Sequence, residues 1–182
     1  GAFIKDGKGT FVVTAKNRFQ GAVQIKDGTL QLGNQTGAQA QTLGGRGNVE
    51  TLSETAYLSI NLNDRYQLLN NEGEARKLTG KGGLEQVGSG TTVVDQDHTY
   101  EGWTVIRGGT LEVTHTGELG HSDKPIITGV DAKKGVLAFN ETEGQTRTWD
   151  RGITGTGSVE KVGAGTLELT NNANDFTGGV TI

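Results

Sequence analysis

Apolar and polar residues alternate over short stretches of this chain, and each stretch begins with the same few residues. A glycine and a threonine come first, and aliphatic or aromatic residues then follow at alternate positions. Clear copies lie at residues 9–13, 28–32, 109–113 and 165–169, and a weaker copy lies at 90–94. A period of two is typical of a half-buried strand, whereas a helix repeats every 3.6 residues. Because no segment shows a sustained helical stripe, the sequence predicts almost no helix.

The spacing of these copies indicates how the strands are arranged. Gly28 follows Gly9 at the same interval at which Gly109 follows Gly90. A strand pattern that returns after about twenty residues, as this one does, is typical of one coil of a β-solenoid. We therefore predict an all-β fold in which parallel strands stack along residues 1–182 as a single segment.

A larger unit also recurs, over about residues 3–32, 84–113 and 159–182. In the three copies an aromatic residue follows the turn glycine by 10, 10 and 11 positions, as Phe19, Tyr100 and Phe176. Another glycine always comes two residues after that aromatic residue. The Gly-Thr pairs of successive copies recur after nearly equal intervals of about eighty residues. So many shared offsets indicate a repeat architecture.

The alternation also predicts which side chains face the interior of the solenoid. They are Phe11, Val13, Val23, Ile25, Leu30, Leu32, Leu58, Ile60, Leu62, Val105, Leu111, Val113, Leu137, Phe139, Leu167, Leu169, Val180 and Ile182. The charged connections at residues 64–76 and 140–149 are expected to bulge outward. Residues 44–47, which are rich in glycine, are expected to form a loop.

Composition changes this picture little. Only 32% of the 182 residues are hydrophobic, which a solenoid tolerates because each coil buries a narrow inner stripe. A net charge of −4 without any basic stripe argues against nucleic acid as a partner. No apolar run is long enough to span a membrane. The absence of cysteine fits an exported protein without disulfides and fits many cytosolic proteins equally well. No leader opens the chain, so any export signal is expected to be removed or to lie outside this sequence.

The stretch from residue 163 to residue 182, Gly-Ala-Gly-Thr-Leu-Glu-Leu-Thr-Asn-Asn-Ala-Asn-Asp-Phe-Thr-Gly-Gly-Val-Thr-Ile, closely resembles the passenger-associated transport repeat of bacterial autotransporters. Residues 159–182 and 3–32 match that repeat well. Residues 84–113 match with more drift, for example at His98, where asparagine is usual. The resemblance covers under half of the chain, but the order and spacing of its parts are specific.

The resemblance implies an exported passenger whose fold is a right-handed, single-stranded parallel β-helix. It also implies delivery to the cell surface of a Gram-negative bacterium through the protein's own C-terminal outer-membrane barrel, by type V secretion. Neither the barrel nor a signal peptide lies in this sequence, and the chain stops inside a third repeat, so we expect an excised fragment of a longer passenger.

The same family includes serine-protease passengers, so candidate catalytic residues were considered. The Gly-Asp-Ser-Gly signature is absent. The adjacent residues His121, Ser122 and Asp123 have the right types, but neighbours along a strand or turn point in different directions, whereas a triad must converge. The histidines His98, His115 and His121 show no metal-ligand spacing, and there is no cysteine to join them. We therefore predict no catalytic, cofactor-binding or metal-binding residue and no cofactor.

Other candidate sites each have a plainer interpretation. Residues 44–49 resemble a calcium-binding nonapeptide, except that valine stands where the liganding aspartate belongs. The Gly-x-Gly pairs are interpreted as turns and not as a dinucleotide fingerprint. Asn17, Asn171, Asn172 and Asn174 suit turns. The glycan-acceptor alternative matches the required pattern only at Asn34 and Asn140.

The two tryptophans leave the binding residues open. Trp103 is expected to pack near the interior beside Tyr100 and Val105. Trp149 fits packing and exposure equally well. An exposed tryptophan on a solenoid face could stack on a sugar ring or anchor a partner.

These observations favour a non-enzymatic surface stalk that mediates adhesion or bacterial aggregation. The expected partners are a host-cell surface or matrix component, or a second copy of the protein. An alternative is a β-helical spacer of a secreted serine protease whose catalytic domain lies upstream. A role in assisting the passenger's own secretion is compatible with both hypotheses.

Overall fold

The structure is a computed structural model that describes residues 1–18, 20–37, 43–71, 74–120, 123–131 and 133–182. Within these ranges the regular secondary structure consists of β-strands alone, as the alternation predicted. The strands are numbered in chain order. They form three long parallel sheets, one short parallel pair and one hairpin.

The three long sheets share the chain between them. The five-stranded sheet contains β1 (Phe3–Lys5), β3 (Val23–Ile25), β5 (Val49–Thr51), β10 (Leu78–Gly80) and β13 (Thr99–Tyr100). The eight-stranded sheet contains β2 (Thr10–Val13), β4 (Gly28–Thr36), β6 (Ala56–Leu62), β11 (Gly83–Gln86), β14 (Thr104–Ile106), β16 (Ile126–Thr128), β19 (Ile153–Gly155) and β22 (Asp175–Phe176). The six-stranded sheet contains β7 (Arg65–Gln67), β12 (Thr91–Val94), β15 (Thr110–Thr114), β17 (Val136–Asn140), β20 (Ser158–Val162) and β23 (Val180–Thr181).

The remaining strands form two pairs. The parallel pair is β18 (Thr146–Trp149) and β21 (Thr166–Leu169). The antiparallel hairpin is β8 (Asn70–Asn71) and β9 (Glu74–Ala75).

The chain passes through the long sheets in a fixed cyclic order. Strands β10, β11 and β12 complete one coil, and β13, β14 and β15 stack on them in parallel. In the last coils β18 and β21 take the place of the five-stranded sheet in this order. The eight-stranded sheet corresponds to about eight coils. The predicted all-β parallel solenoid is confirmed.

The coils are less uniform than the sequence predicted. Thr10 pairs with Thr29, and Thr91 with Thr110, so these two coils have the same length, close to the expected one. Val49, however, pairs with Leu78, and the interval between them is about one and a half times the interval between Thr10 and Thr29. That longer coil contains the β8–β9 hairpin. The expected length of about twenty residues therefore holds within the repeat units, and coils between them are lengthened by insertions.

The large repeat and the solenoid have different periods. The strand register places Gly83 in the same row as Thr10, three coils further on. Thr91, which corresponds to Thr10 in the second repeat unit, comes eight residues after Gly83. In the same way Thr91 is linked to Ser158, and Thr166 comes eight residues after it. Each unit therefore begins one sheet further around the solenoid. Its Gly-Thr strands are β2, then β12, then β21.

Most predicted interior side chains form one continuous core. The confirmed ones are Val13, Val23, Ile25, Leu30, Leu32, Leu58, Ile60, Leu62, Leu111, Val113, Leu137 and Phe139. Full burial of one such side chain contributes about 1.5–3 kcal/mol relative to exposure. Stacking the same rows from coil to coil therefore supplies the main stabilisation of the fold.

Val105 is buried, with 7% of its surface exposed, but it lies outside the continuous core. It pairs with Glu85 and Ile127 in an outward row, whereas Thr104 and Ile106 on either side of it are fully buried. The interior accepts Thr104 because its hydroxyl bonds the hydroxyl of buried Tyr100 at 2.5 Å.

Burial was overestimated near the two ends. Phe11 lies in the row of Leu30, yet it is 48% exposed. Val180 is 55% exposed and Ile182 is 97% exposed, since no further coil of this chain stacks on them. Leu167 and Leu169 are half-buried against the core.

The two charged connections are not simple bulges. Residues 65–67 form β7, in the six-stranded sheet, and residues 146–149 form β18, which carries the buried side chains of Arg147 and Trp149. Both connections therefore contribute to the solenoid wall. The physical reason is that their charged groups are paired with groups of neighbouring coils, as described below.

Candidate functional site

The residues considered for catalysis and metal binding do not form one described site. His98 is fully buried, and His115 lies 37% exposed at the rim of a pocket. Asp123 is exposed and lines the same pocket. His121 and Ser122 lie outside the described residues, as does Phe19 of the first repeat unit. No group of three or more His, Cys, Asp or Glu residues in the described ranges could hold a metal ion.

Before several strands, a side-chain acceptor binds the backbone of the adjacent coil. The Asn48 Oδ1 atom accepts from Lys77 N at 2.9 Å, and the Asn174 Oδ1 atom accepts from Ile153 N at 3.0 Å. His98 does the same through Nδ1, which accepts from Leu78 N at 3.0 Å. His98 therefore replaces the usual asparagine without losing its hydrogen bond. Because Nδ1 accepts, the imidazole is neutral and carries its proton on Nε2.

Because His98 is buried, protonation of its imidazole in the folded protein is unfavourable. Burial, reinforced by the charge of Lys77, lowers the pKa of His98 to about 4, and its Nε2 atom is buried without a partner. Between its ordinary pKa and this lowered one, the unfolded chain binds a proton that the folded chain does not. We expect stability to fall by up to about 3 kcal/mol as the pH falls through this window.

The variant His98→Asn isolates this contribution, because it keeps an acceptor and removes the titrating group. Denaturant unfolding of both proteins at pH 7, 6, 5 and 4 should show a steeper loss of stability for the native chain. The interpretation is wrong if the two proteins lose stability in parallel.

Arginine side chains bind the carbonyl groups of loops about thirty residues earlier. Arg76 is 4% exposed, and its guanidinium donates to Leu43 O at 2.7 Å and to Gly47 O at 2.8 Å. It also donates to Gly44 O at 3.1 Å. The loop that resembles a calcium nonapeptide is therefore filled by a cation of the protein itself. Three backbone carbonyls of this region thus accept hydrogen bonds from Arg76.

Arg147 is the centre of a second such arrangement. Its Nη2 atom donates to the carbonyl oxygens of Thr114, His115 and Gly117 at distances from 2.8 Å to 3.0 Å. Its Nη1 atom lies 2.7 Å from the Glu118 carboxylate, and Nε donates to Glu141. Burial alone would lower the pKa of Arg147, but these carboxylates outweigh it and raise the pKa above its ordinary value.

Glu141 connects this arginine to a histidine. Its side chain is fully buried, and its second oxygen lies 3.0 Å from the Nδ1 atom of His115. The Arg147–Glu141–His115 group therefore joins two successive coils. Neither Arg147 nor Glu141 was singled out from the sequence, because each meets partners through the stacking of coils and not through any local motif.

A pocket of about 500 Å³ opens over this group. Its lining includes His115, Glu118, Asp123, Arg147 and Arg151. Arg151 donates to the Gly120 carbonyl at 2.9 Å, and burial lowers its pKa. Of these charged groups, His115, Glu118, Arg147 and Arg151 thus have structural partners.

The tryptophans have distinct environments. Trp149 is 4% exposed and packs edge-on against Phe139, with ring centroids 4.9 Å apart, so it belongs to the core. Trp103 is half-buried on the outside of the eight-stranded sheet, with Lys124 Nζ 5.8 Å from its ring centroid. The expected packing of Trp103 beside Tyr100 is wrong, because Tyr100 lies on the inner side of the wall.

The asparagines differ in their environments. The Oδ1 atom of Asn171 accepts from Ala173 N at 2.7 Å, and the Nδ2 atom of Asn17 donates to Ala15 O at 2.9 Å, as expected of turn residues. Asn140 is half-buried and donates to Glu112 at 2.9 Å, which leaves its amide nitrogen engaged within the protein. Asn34 is exposed.

Within the described part of the chain, no helix is long and apolar enough to cross a bilayer.

Comparison with known proteins adds a family context. The chain matches the family model described as Passenger-associated-transport-repeat at residues 3–32, 84–113 and 159–182. It is 28% identical over 200 residues to the protein "Adhesin BmaC autotransporter" of Brucella suis biovar 1 (strain 1330). That match covers 95% of this chain and 6% of the relative, so the chain spans a small part of the relative's length. No solved structure gives a significant match. The repeats, their parallel stacking and this relative together support an interpretation of the chain as similar to autotransporter passenger domains.

Proposed function

We propose that this chain is a non-enzymatic, surface-exposed stalk that mediates adhesion or bacterial aggregation. The observation that carries the proposal is the parallel stacking of about eight coils in a chain whose relative is named an adhesin. A continuous stack places the same outward side-chain rows at regular spacing along one axis. Localisation at the surface of a Gram-negative bacterium, or in its secreted material, belongs to the same proposal.

Cross-coil contacts support a stalk that resists bending. Arg65 of β7 reaches over β12 and forms a bidentate pair with Glu112 of β15, with both N–O distances 2.9 Å. Asn140 of β17 binds the same carboxylate at 2.9 Å. Strands β7, β15 and β17 of the six-stranded sheet are thereby connected by side chains, across β12. Rigid presentation allows many weak contacts to add through multivalency.

The same construction supports a role in the passenger's own secretion. Each coil supplies acceptors and donors that its neighbour requires, as at Asn48, His98 and Asn174. Solenoids fold by propagation from coil to coil, because each repeat contacts only its neighbours. Coils that leave the outer-membrane barrel can then stack on those already folded outside. A host-cell or matrix component, or a second copy of the protein, is the proposed partner of the finished stalk.

Deletion of this segment from the full-length passenger tests the proposal. Bacteria displaying the intact passenger and bacteria lacking residues 1–182 are compared for sedimentation of aggregates and for binding to cultured host cells. Surface amounts and the time of surface arrival are measured with an antibody to a shared epitope. We expect several-fold less aggregation or host-cell binding at equal surface amounts. The passenger that lacks residues 1–182 should also reach the cell surface more slowly.

The comparison also separates the proposal from the protease-spacer alternative. Unchanged aggregation and unchanged host-cell binding at equal surface amounts would contradict adhesion. Unchanged arrival would contradict the secretion role. The name of the relative favours adhesion over a protease spacer.

A further inference from the structure

We infer that the outer side of the eight-stranded sheet carries a binding platform for a neutral glycan, formed by Tyr57 and Trp103. This inference rests on the proposed adhesive function and names the chemical class of its ligand. Both side chains are half-buried. They lie in one outward row, because Tyr57 pairs with Gly83 and Gly83 lies beside Trp103 in the next coil.

Gly83 determines how the Tyr57 ring lies. A Cβ atom at Gly83 would be 2.6 Å from Tyr57 Cε1 and 2.3 Å from Trp103 O. The tyrosine ring therefore crosses the backbone of the middle coil, in space that any other residue would occupy. The Cε1 edge of the ring therefore lies close to that backbone. A ring held in this way is ordered before any ligand binds.

The spacing of the two aromatic residues suits an extended ligand. Their backbones are two coils apart, about 9.5 Å along the solenoid axis, and the Tyr57 ring extends over the coil between them. Pro125 continues the row in the next coil, since it precedes Ile126, the residue paired with Thr104. The result is a narrow apolar strip that runs along the axis. Pyranose rings present C–H groups that stack on aromatic faces, which carry negative charge density.

Planar charged groups border the strip. The Arg107 guanidinium lies 3.0 Å from the Glu85 carboxylate and 3.8 Å from the Asp131 carboxylate. Asp131 is 84% exposed and Arg107 is 36% exposed, so both can reach a ligand. Lys124 lies on the other side, over Trp103. Two positive and two negative side chains balance, so the border favours a neutral ligand rich in hydroxyl groups.

The hydroxyl of Tyr57 is part of the same border. Burial, reinforced by the carboxylate of Glu85, raises the pKa of Tyr57, so its hydroxyl stays protonated at neutral pH. It can therefore donate to a sugar oxygen. Hydroxyl groups both donate and accept, which matches a border that holds guanidinium, ammonium, carboxylate and phenol groups together. A protein partner with a mainly apolar surface would cover these polar groups without giving them hydrogen-bond partners.

Ligand-observed saturation-transfer NMR on the 182-residue chain tests the inference. The probes are cellohexaose and maltohexaose as neutral glycans and a heparin hexasaccharide as an anionic one. We expect a neutral hexasaccharide to bind. Tyr57→Ala and Trp103→Ala should each weaken binding by about tenfold or more, and Tyr57→Phe should retain most of it. Phe11→Ala, which removes an exposed aromatic side chain elsewhere, is the matched control and should change nothing.

Each other outcome overturns the inference. Binding of neither neutral probe, binding of the heparin probe alone, or neutral binding that survives both alanine variants would each contradict it. Circular dichroism and thermal unfolding establish that the variants are folded. If neither neutral probe binds and Tyr57→Ala lowers host-cell binding, the platform recognises protein. If glycan binding is confirmed while the deletion of residues 1–182 leaves adhesion intact, the proposed function fails and this inference stands.

Discussion

Replacement of Arg147 with alanine is expected to lower the free energy of unfolding by about 3–5 kcal/mol. The variant would leave the fully buried Glu141 carboxylate without its guanidinium. It would also release the carbonyl groups of Thr114, His115 and Gly117. Loss of one member of a buried ion pair costs far more than the pair itself contributes, because the remaining charge stays desolvated.

Arg65→Ala is the matched control for this prediction. Arg65 also forms a bidentate pair with a glutamate two coils away, but its side chain is 59% exposed. The Glu112 side chain is 10% exposed, but it keeps its hydrogen bond from Asn140 when Arg65 is removed. Since solvent also reaches the Arg65 site, this variant should lose clearly less stability than Arg147→Ala. Urea unfolding of the three proteins at pH 7 measures both effects. Equal losses in the two variants would show that burial does not set the contribution of these pairs.

Replacement of Gly80 with alanine is expected to cost more than about 4 kcal/mol and to prevent folding in a marginally stable background. Gly80 has a φ of +96°, and a Cβ atom there would lie 2.0 Å from the carbonyl oxygen of Thr51 in the adjacent coil. The backbone of β10 would have to move away from β5. Such a shift would break the hydrogen bonds that stack these two coils.

Gly144→Ala separates the two causes of this effect. Gly144 has a φ of +77°, but nothing lies within 4 Å of a Cβ atom placed there. The substitution should therefore cost only the conformational penalty of a left-handed alanine, about 1–2 kcal/mol. Thermal unfolding followed by far-ultraviolet circular dichroism compares the variants. A loss in Gly80→Ala no larger than that in Gly144→Ala would contradict close coil packing as the cause.

The Gly-Thr strands could be predicted because their cause is local. The alternation in residues 28–32 and 109–113 places aliphatic side chains on one face of an extended chain, and the structure buries Leu30 and Leu111 accordingly. The regular spacing of these strands predicted which of them stack, and Thr10 does pair with Thr29. Local alternation failed at Val105. There the hydroxyl pair of Tyr100 and Thr104 makes a polar residue acceptable inside.

The polar groups that join the coils had no such local signal. Arg76 binds a loop about thirty residues earlier, and Arg147 does the same. The coils that contain these contacts are longer than those within the repeat units, so the separation of the partners differs from the spacing that the repeats predict. The juxtaposition of Tyr57 with Trp103 had no local signal either, because Gly83 between them is a neighbour only in the stacked structure.

The residue pattern alone was enough to predict that the chain forms short strands, that the strands stack in parallel coils, and that aliphatic rows form the interior. These features follow from side-chain alternation and from glycine at fixed positions, which act within a few residues. The tertiary structure was needed to show that successive repeat units begin one sheet further around the solenoid. It was also needed to show which charged groups are buried as pairs and which aromatic residues lie outside the core. Those outcomes depend on the summed lengths of intervening coils, because that sum sets which residues of different coils lie beside one another.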